Sequence, residues 1–129
     1  MRKSVCRIIQ TAILIAPLAT HSAMAEARRY EKCPSAKSAD EARARMQISE
    51  RLISKQKYRR ALPVIDRGVR IIGSDWEDNF PVNDDTIFAE GAARVAIKKQ
   101  DFKSAAHKRY EILRSRLAAW TRYCRRPNH

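Results

Sequence analysis

Cysteine is the residue type in this 129-residue chain whose positions point most directly to chemistry. Cys6 lies just before an apolar N-terminal run, whereas Cys33 and Cys124 lie near the two ends of the remaining chain. Redox-active pairs usually occur as C-x-x-C, so a separation of 91 positions favours a structural disulfide over a catalytic one. A free or intermolecular pair is the alternative. The sequence therefore predicts one disulfide, Cys33–Cys124.

Histidines and carboxylates offer no second reactive centre. Beyond the N-terminal run the histidines are His107 and His129, and neither has a partner at metal-ligand or catalytic-triad spacing. A group of acids could bind a hard cation, but it lacks the alternating pattern of a calcium loop. We therefore expect no metal site, no cofactor and no enzymatic activity. The acids of this group are Asp75, Glu77, Asp78, Asp84 and Asp85.

The first 25 residues are typical of a cleavable secretory signal peptide. A short basic start precedes the apolar residues 8–20, and Ala23-Met24-Ala25 is a small-x-small sequence of the kind found at cleavage sites. A membrane anchor is the alternative, but a spanning helix needs roughly 20 apolar residues. We therefore predict a periplasmic or secreted protein, with no transmembrane segment in its mature chain.

Net charge limits the classes of partner. The chain carries 27 Lys and Arg against 14 Asp and Glu, a formal charge of +13, and removal of residues 1–25 leaves +10. Such a charge attracts polyanions. Because an exported protein does not meet cytosolic nucleic acid, nucleic acid is not expected as a partner, and anionic envelope material takes its place. Residues 71–93 contain six acids and no base, whereas the charged residues within 98–126 are basic apart from Asp101 and Glu111.

Apolar residues recur at helical spacing in four segments, and none alternates as a strand does. Because short connections make consecutive helices antiparallel, the start of the first helix and the end of the fourth helix should lie at the same end of the domain. Cys33 and Cys124 fall at these two points. In the mature chain Leu, Ile, Val and Phe are 19 of 104 residues, a composition that also fits disorder. The predicted plan is an arm at 26–37, an all-α domain at 38–124 with helices over 39–56, 58–72, 84–99 and 102–123, and a basic tail at 125–129.

Local signals refine these helices. Ser38 and Glu41 form a capping box at the start of the first. Pro63 predicts that the second either starts near Leu62 or kinks there. In the third helix the predicted buried positions are Ile87, Ala92, Val95 and Ala96. In the fourth they are Phe102, Ala106, Leu113, Leu117, Trp120 and Cys124.

One internal repeat is present. Residues 53–61 match residues 97–105 at four of nine positions, and both copies straddle a turn, so the repeating unit is a helix hairpin. Its spacing resembles a tetratricopeptide repeat, which places small residues at set distances from an aromatic residue at the turn. Both copies carry Gln where that family usually has Gly. The matching residues are Ser49, Tyr58, Ala61 and Gly68 in the first copy, and Ala93, Phe102 and Ala105, but Ile112 in place of a small residue, in the second.

The resemblance implies a noncatalytic scaffold of two helix hairpins for protein–protein interaction, with a peptide or protein partner in the cell envelope. Because arrays usually need three repeats, two repeats also point to self-association as a homo-oligomer. The charge favours an alternative, in which the basic fourth helix and tail bind lipid head groups, lipopolysaccharide or cell-wall polymer. The groove that the resemblance implies is lined by Arg43, Met46, Glu50, Ile53, Ser54, Ile87, Glu90, Arg94, Ile97 and Lys98.

Overall fold

The computed structural model describes residues 32–73, 76 and 85–125. The predicted signal peptide, the first half of the predicted arm, most of the acidic group and most of the tail lie outside this part of the chain. The described residues contain no strand, and the prediction of an all-α fold with four helices is confirmed. The helices are α1 (Ala36–Ser54), α2 (Tyr58–Ile72), α3 (Asp85–Lys98) and α4 (Phe102–Tyr123).

The central helix is α4. It packs against α1, α2 and α3, and among the described residues α3 packs extensively on α4 alone. The predicted buried stripe of α4 is confirmed, because Leu113, Leu117 and Trp120 belong to the core and Phe102 packs against it half-buried. An ion pair of 3.1 Å between Arg109 and Asp66 joins α4 to α2. The domain is therefore organised around one long helix.

The first helix begins three residues earlier than predicted. Ser35, not Ser38, is its N-cap: the Ser35 Oγ accepts a hydrogen bond of 3.1 Å from the Ser38 backbone N–H. Ser35 follows Pro34 and has extended backbone angles, as an N-cap residue requires. Ser38 lies within the first turn, so the prediction of a capping box between Ser38 and Glu41 is wrong.

The second helix starts at Tyr58 in spite of Pro63. The Ala61 N–H donates to the Lys57 carbonyl at 3.0 Å, which shows that the first turn is already formed before the proline. The predicted bounds of this helix, 58–72, are confirmed, and the alternative of a later start near Leu62 is wrong. Pro63 itself lies on the exposed side of α2.

The two repeated turns have the same backbone structure. Gln56 and Gln100 both have positive φ, 60° and 58°. The Lys57 N–H donates to the Leu52 carbonyl at 2.8 Å, and the Asp101 N–H donates to the Ala96 carbonyl at 2.9 Å. These are the hydrogen bonds of a Schellman motif, in which glycine is the usual residue at positive φ. The internal repeat seen in the sequence is thus also a repeat of local structure.

The third helix faces its neighbour with a different side from the one predicted. Ala89, Ala93 and Ala96 are buried, whereas Ala92 and Val95 are exposed, so the predicted stripe is wrong except at Ala96. The Ile87 side chain lies outside the described part. Small side chains let α3 approach α4 closely, and size rather than hydropathy selects the buried side. Phe88 and Val95 are left on the other side.

A tryptophan from the acidic segment completes the core. Trp76 is 2% exposed, and its indole N–H donates to the carbonyls of Ile72 at 3.0 Å and Gly73 at 3.2 Å. These bonds satisfy backbone carbonyls at the end of α2, which otherwise lack partners. The sequence analysis assigned this segment to a loop and did not identify Trp76 as a core residue.

Three helices meet most closely at Gly68 of α2. A Cβ atom at this position would lie 2.9 Å from the Leu113 Cδ2 atom of α4 and 3.3 Å from the Arg45 Cβ atom of α1. Leu113 is fully buried, so it has little room to move away. The small residue is therefore required by packing.

We predict opposite effects of alanine at two helical glycines. Gly68→Ala overpacks this contact and lowers the free energy of unfolding by about 1–2 kcal/mol, after allowance for the better helix propensity of alanine. Gly91→Ala meets no atom within 4 Å, so it raises the free energy of unfolding by about 0.5–1 kcal/mol. Urea unfolding followed by circular dichroism measures both, and equal effects at the two glycines would contradict the packing argument.

Candidate functional site

The disulfide end of the domain contains a cleft of about 490 Å³. Cys33 and Cys124 are joined there, with a Cα–Cα distance of 5.7 Å, which confirms the predicted pairing. The lining hydroxyls are engaged with the backbone, since Ser35 Oγ caps α1 and Thr121 Oγ1 donates to the Leu117 carbonyl at 3.0 Å. The cleft therefore presents neither a free thiol nor an activated hydroxyl.

The α1 half of the predicted groove is largely committed to contacts within the domain. Met46 and Ile53 are half-buried against the core, and Arg43 pairs with Asp40 at 3.0 Å. Glu50 accepts a hydrogen bond from the Tyr110 hydroxyl of α4. Ser54 Oγ donates to the Arg51 carbonyl at 2.7 Å.

The α3 half of the predicted groove lies apart from the α1 half. Glu90 is half-buried, while Arg94, Ile97 and Lys98 are exposed. In the described part of the chain, α1 and α3 each pack on α4 and share no extensive contact with each other. The structure brings the α1 residues together with α4, and it does not join them with the α3 residues into one surface.

An apolar surface on α3 was not anticipated from the sequence. Phe88 is 76% exposed and Val95 is 52% exposed, and Gly91 and Ala92 lie between them on the same side of the helix. We call these four residues the outer face of α3. Among the residues that the structure describes, the exposed large apolar side chains belong to Phe88, Val95 and Ile97, and all three lie on α3. The spacing of Ala89, Ala93 and Ala96 was the signal that could have revealed this orientation.

The second notable surface is a concentration of positive charge. The two repeated turns are neighbours, because the Arg59 guanidinium lies 5.2 Å from the centroid of the Phe102 ring and Tyr58 lies 5.9 Å from His107 between ring centroids. Seven exposed cations therefore gather at the end of the domain opposite the disulfide, and we call them the basic end. They are Lys55, Lys57, Arg59, Arg60, Lys98, Lys99 and Lys103.

Little negative charge offsets the basic end. Within the described residues none of the seven cations forms an ion pair. Asp101 lies among them, and its carboxylate accepts hydrogen bonds from the Ser104 hydroxyl at 2.8 Å and the Ser104 N–H at 3.1 Å. These bonds, and more weakly Lys103, lower the pKa of Asp101. Asp101 thus serves as the N-cap of α4, and the surface around it remains strongly positive.

The described His, Cys, Asp and Glu side chains form no metal-binding cluster. His107 is exposed and packs against Tyr58, and His129 lies outside this part of the chain. None of the four helices has the length and apolar character needed to span a membrane. The surfaces that stand out are the outer face of α3 and the basic end.

The contact between Glu50 and Tyr110 predicts a response to alkaline pH. Burial, followed by the hydrogen bond and the charge of Glu50, raises the pKa of Tyr110 to about 12. The unfolded chain has the ordinary tyrosine pKa of 10.0, whereas the folded state keeps the Tyr110 proton to higher pH. The retained proton therefore stabilises the fold fully below pH 10, and this stabilisation is lost as the pH rises towards 12.

We expect Tyr110→Phe to remove this contribution. In urea unfolding at pH 9, 10 and 11, the variant should lose less stability with rising pH than the unsubstituted protein. Tyr58→Phe, which removes a different half-buried tyrosine, is the matched control. Identical pH profiles for Tyr110→Phe and the unsubstituted protein would count against the assigned contact.

Comparison of this chain with protein-family models, with curated proteins and with solved structures gives no match. The resemblance to tetratricopeptide repeats stays a prediction from the spacing of the two copies. The functional argument therefore depends on the two surfaces themselves.

Proposed function

We propose that this protein is an exported helical scaffold without catalytic activity, and that it binds a protein partner through the outer face of α3. The observation that carries the proposal is the exposure of Phe88 and Val95 on a helix whose other side already packs on α4. Isolated exposed apolar residues are common on protein surfaces. Two large ones aligned on one side of a helix, with only small residues between them, form a continuous apolar stripe.

Such a stripe provides a driving force for association. Burial of a Val or Phe side chain is worth about 1.5–3 kcal/mol relative to its exposure to water. The shape of the stripe also favours a helix as the partner, because Gly91 and Ala92 leave a shallow gap between Phe88 and Val95. Helices approach one another most closely where small side chains face each other.

Two α3 residues of the predicted groove, Arg94 and Lys98, border this stripe. At about 100° per residue, Arg94 and Lys98 lie beside it on one flank of the helix. A partner seated on the outer face can therefore also meet these cations. The proposal thus retains Arg94 and Lys98 from the α3 half of the predicted groove and needs no contribution from α1.

Phe88→Glu should abolish association with the partner. Because Phe88 is 76% exposed, the change should alter the free energy of unfolding by no more than about 0.5 kcal/mol. The measurement is chemical cross-linking in the intact cell envelope, followed by detection of larger species that contain this protein. We expect at least a tenfold loss of these species.

Arg94→Glu, on the flank of the same helix, is the control for that experiment. It changes charge on α3 without placing a carboxylate on the apolar stripe, so its effect should be smaller. Cross-linked species that survive Phe88→Glu but disappear with Arg94→Glu would transfer the interaction to the flank. The absence of any cross-linked species would contradict the scaffold proposal.

The basic end supports a second candidate function, which is binding to anionic envelope surfaces. The supporting observation is that the two repeated turns place side by side seven cations that form no ion pair within the described residues, with Asp101 as the acid among them. Cations near a negatively charged membrane contribute about 1 kcal/mol each. This site differs from the fourth helix and tail to which the sequence analysis assigned the same function.

Replacement of four cations of the basic end, Lys55, Lys57, Lys98 and Lys99, by Gln should weaken binding to vesicles of anionic phospholipid by two to three orders of magnitude. The matched control replaces four other exposed cations by Gln and so removes the same charge. They are Arg67, Arg70, Arg114 and Arg122. Sedimentation of vesicles at two salt concentrations measures the binding. Equal losses in the two variants would show that net charge, rather than the basic end, is responsible.

A further inference from the structure

We propose that the partner of the outer face of α3 is α3 of a second copy of this chain, packed antiparallel to it. This inference rests on the proposed function, because it assigns a partner to the surface already described. The argument comes from the order of the residues on that face and from the distribution of charge along the helix.

The outer face has the same layout when it is read in either direction. From Phe88 the next members follow after three, one and three residues, and from Val95 backwards the intervals are again three, one and three. An antiparallel copy centred between Gly91 and Ala92 therefore places Phe88 of each copy beside Val95 of the other. The small residues meet at the centre, where Gly91 has nothing within 4 Å of a Cβ position. A large residue thus faces a large one, and close approach occurs in the middle.

Charge along α3 also favours an antiparallel arrangement. The first seven residues of the helix include two acids and no base, whereas Arg94, Lys98 and Lys99 follow Ala92 with no acid among them. In the antiparallel register the position of Asp85 in one helix lies opposite the position of Lys98 in the other, and the two helix dipoles oppose each other. A parallel copy would set like charges together. Among the described residues, the exposed large apolar side chains all lie on α3.

One short helix from each copy buries a small area, and interfaces of this size are weak. We therefore expect a dimer that dissociates at micromolar concentration and forms as the concentration approaches the millimolar range. The purified protein, with its disulfide intact, should show this change in sedimentation velocity. Val95→Glu puts a carboxylate on each side of the contact and should weaken the dimer by about a hundredfold. Arg94→Glu should leave most of the association intact.

Cross-linking through introduced cysteines tests the orientation. Ala92→Cys lies near the centre of the proposed pair, so the two copies should form a disulfide-linked dimer on mild oxidation. Lys99→Cys lies seven positions further along, about 10 Å, so an antiparallel pair holds its two copies about 20 Å apart and no such dimer should form. Cross-linking of both variants would indicate a parallel pair and would overturn the proposal.

The outcome is separable from that of the proposed function. A protein that stays monomeric up to millimolar concentration overturns self-association. If Phe88→Glu still abolishes cross-linked species in the envelope, the outer face then binds a different protein, and the scaffold function stands. If neither experiment shows dependence on the outer face, both proposals fail together.

Discussion

The covalent link between Cys33 and Cys124 is the constraint on which the domain depends. Its core contains few large side chains, and alanines fill many of the contacts between helices. Alanine favours a helix but buries little apolar area, so burial alone stabilises such a core weakly. A disulfide that spans 91 positions limits the unfolded chain and contributes about 4–5 kcal/mol on the chain-entropy model. The same link holds the start of α1 at the end of α4, where the Trp120 indole N–H donates to the Pro34 carbonyl at 2.9 Å.

Small residues also decide how the helices approach one another. Gly68 brings α1, α2 and α4 together, and the alanine stripe brings α3 onto α4. On α3 the side that packs closely against α4 carries alanines, whereas the large side chains of Phe88 and Val95 lie on the opposite side. Phe88 and Val95 are left in contact with water, although a monomer gains nothing from that exposure. The requirement for close packing on one side of α3 thus creates the apolar surface on the other.

The sequence predicted what depends on periodicity and covalent chemistry, and it failed where helices choose among similar faces. Helical spacing gave the four helices and the buried stripe of α4, and a single possible pairing gave the disulfide. It placed Val95 in the core because the pattern scores hydropathy, whereas packing on α4 selects small volume. It took Ser38 as the cap because two serines, Ser35 and Ser38, both suit that position. Trp76 was missed because it follows the end of α2, where no periodic pattern extends. The basic end arises because two turns distant in the chain lie side by side, which spacing alone does not define.

The outer face and the basic end are separate in the fold, and this separation bears on how the two candidate functions relate. The outer face runs along the side of α3, whereas the basic end lies where the two repeated turns meet, beyond the ends of the helices. In an antiparallel pair of α3 helices the two basic ends point in opposite directions. A flat anionic surface can then contact one basic end of the pair, while the other is directed away from that surface. Association through α3 and binding to anions therefore share only Lys98 and Lys99 at the end of α3, and the other five cations of the basic end lie on the two repeated turns and the helix starts that follow them.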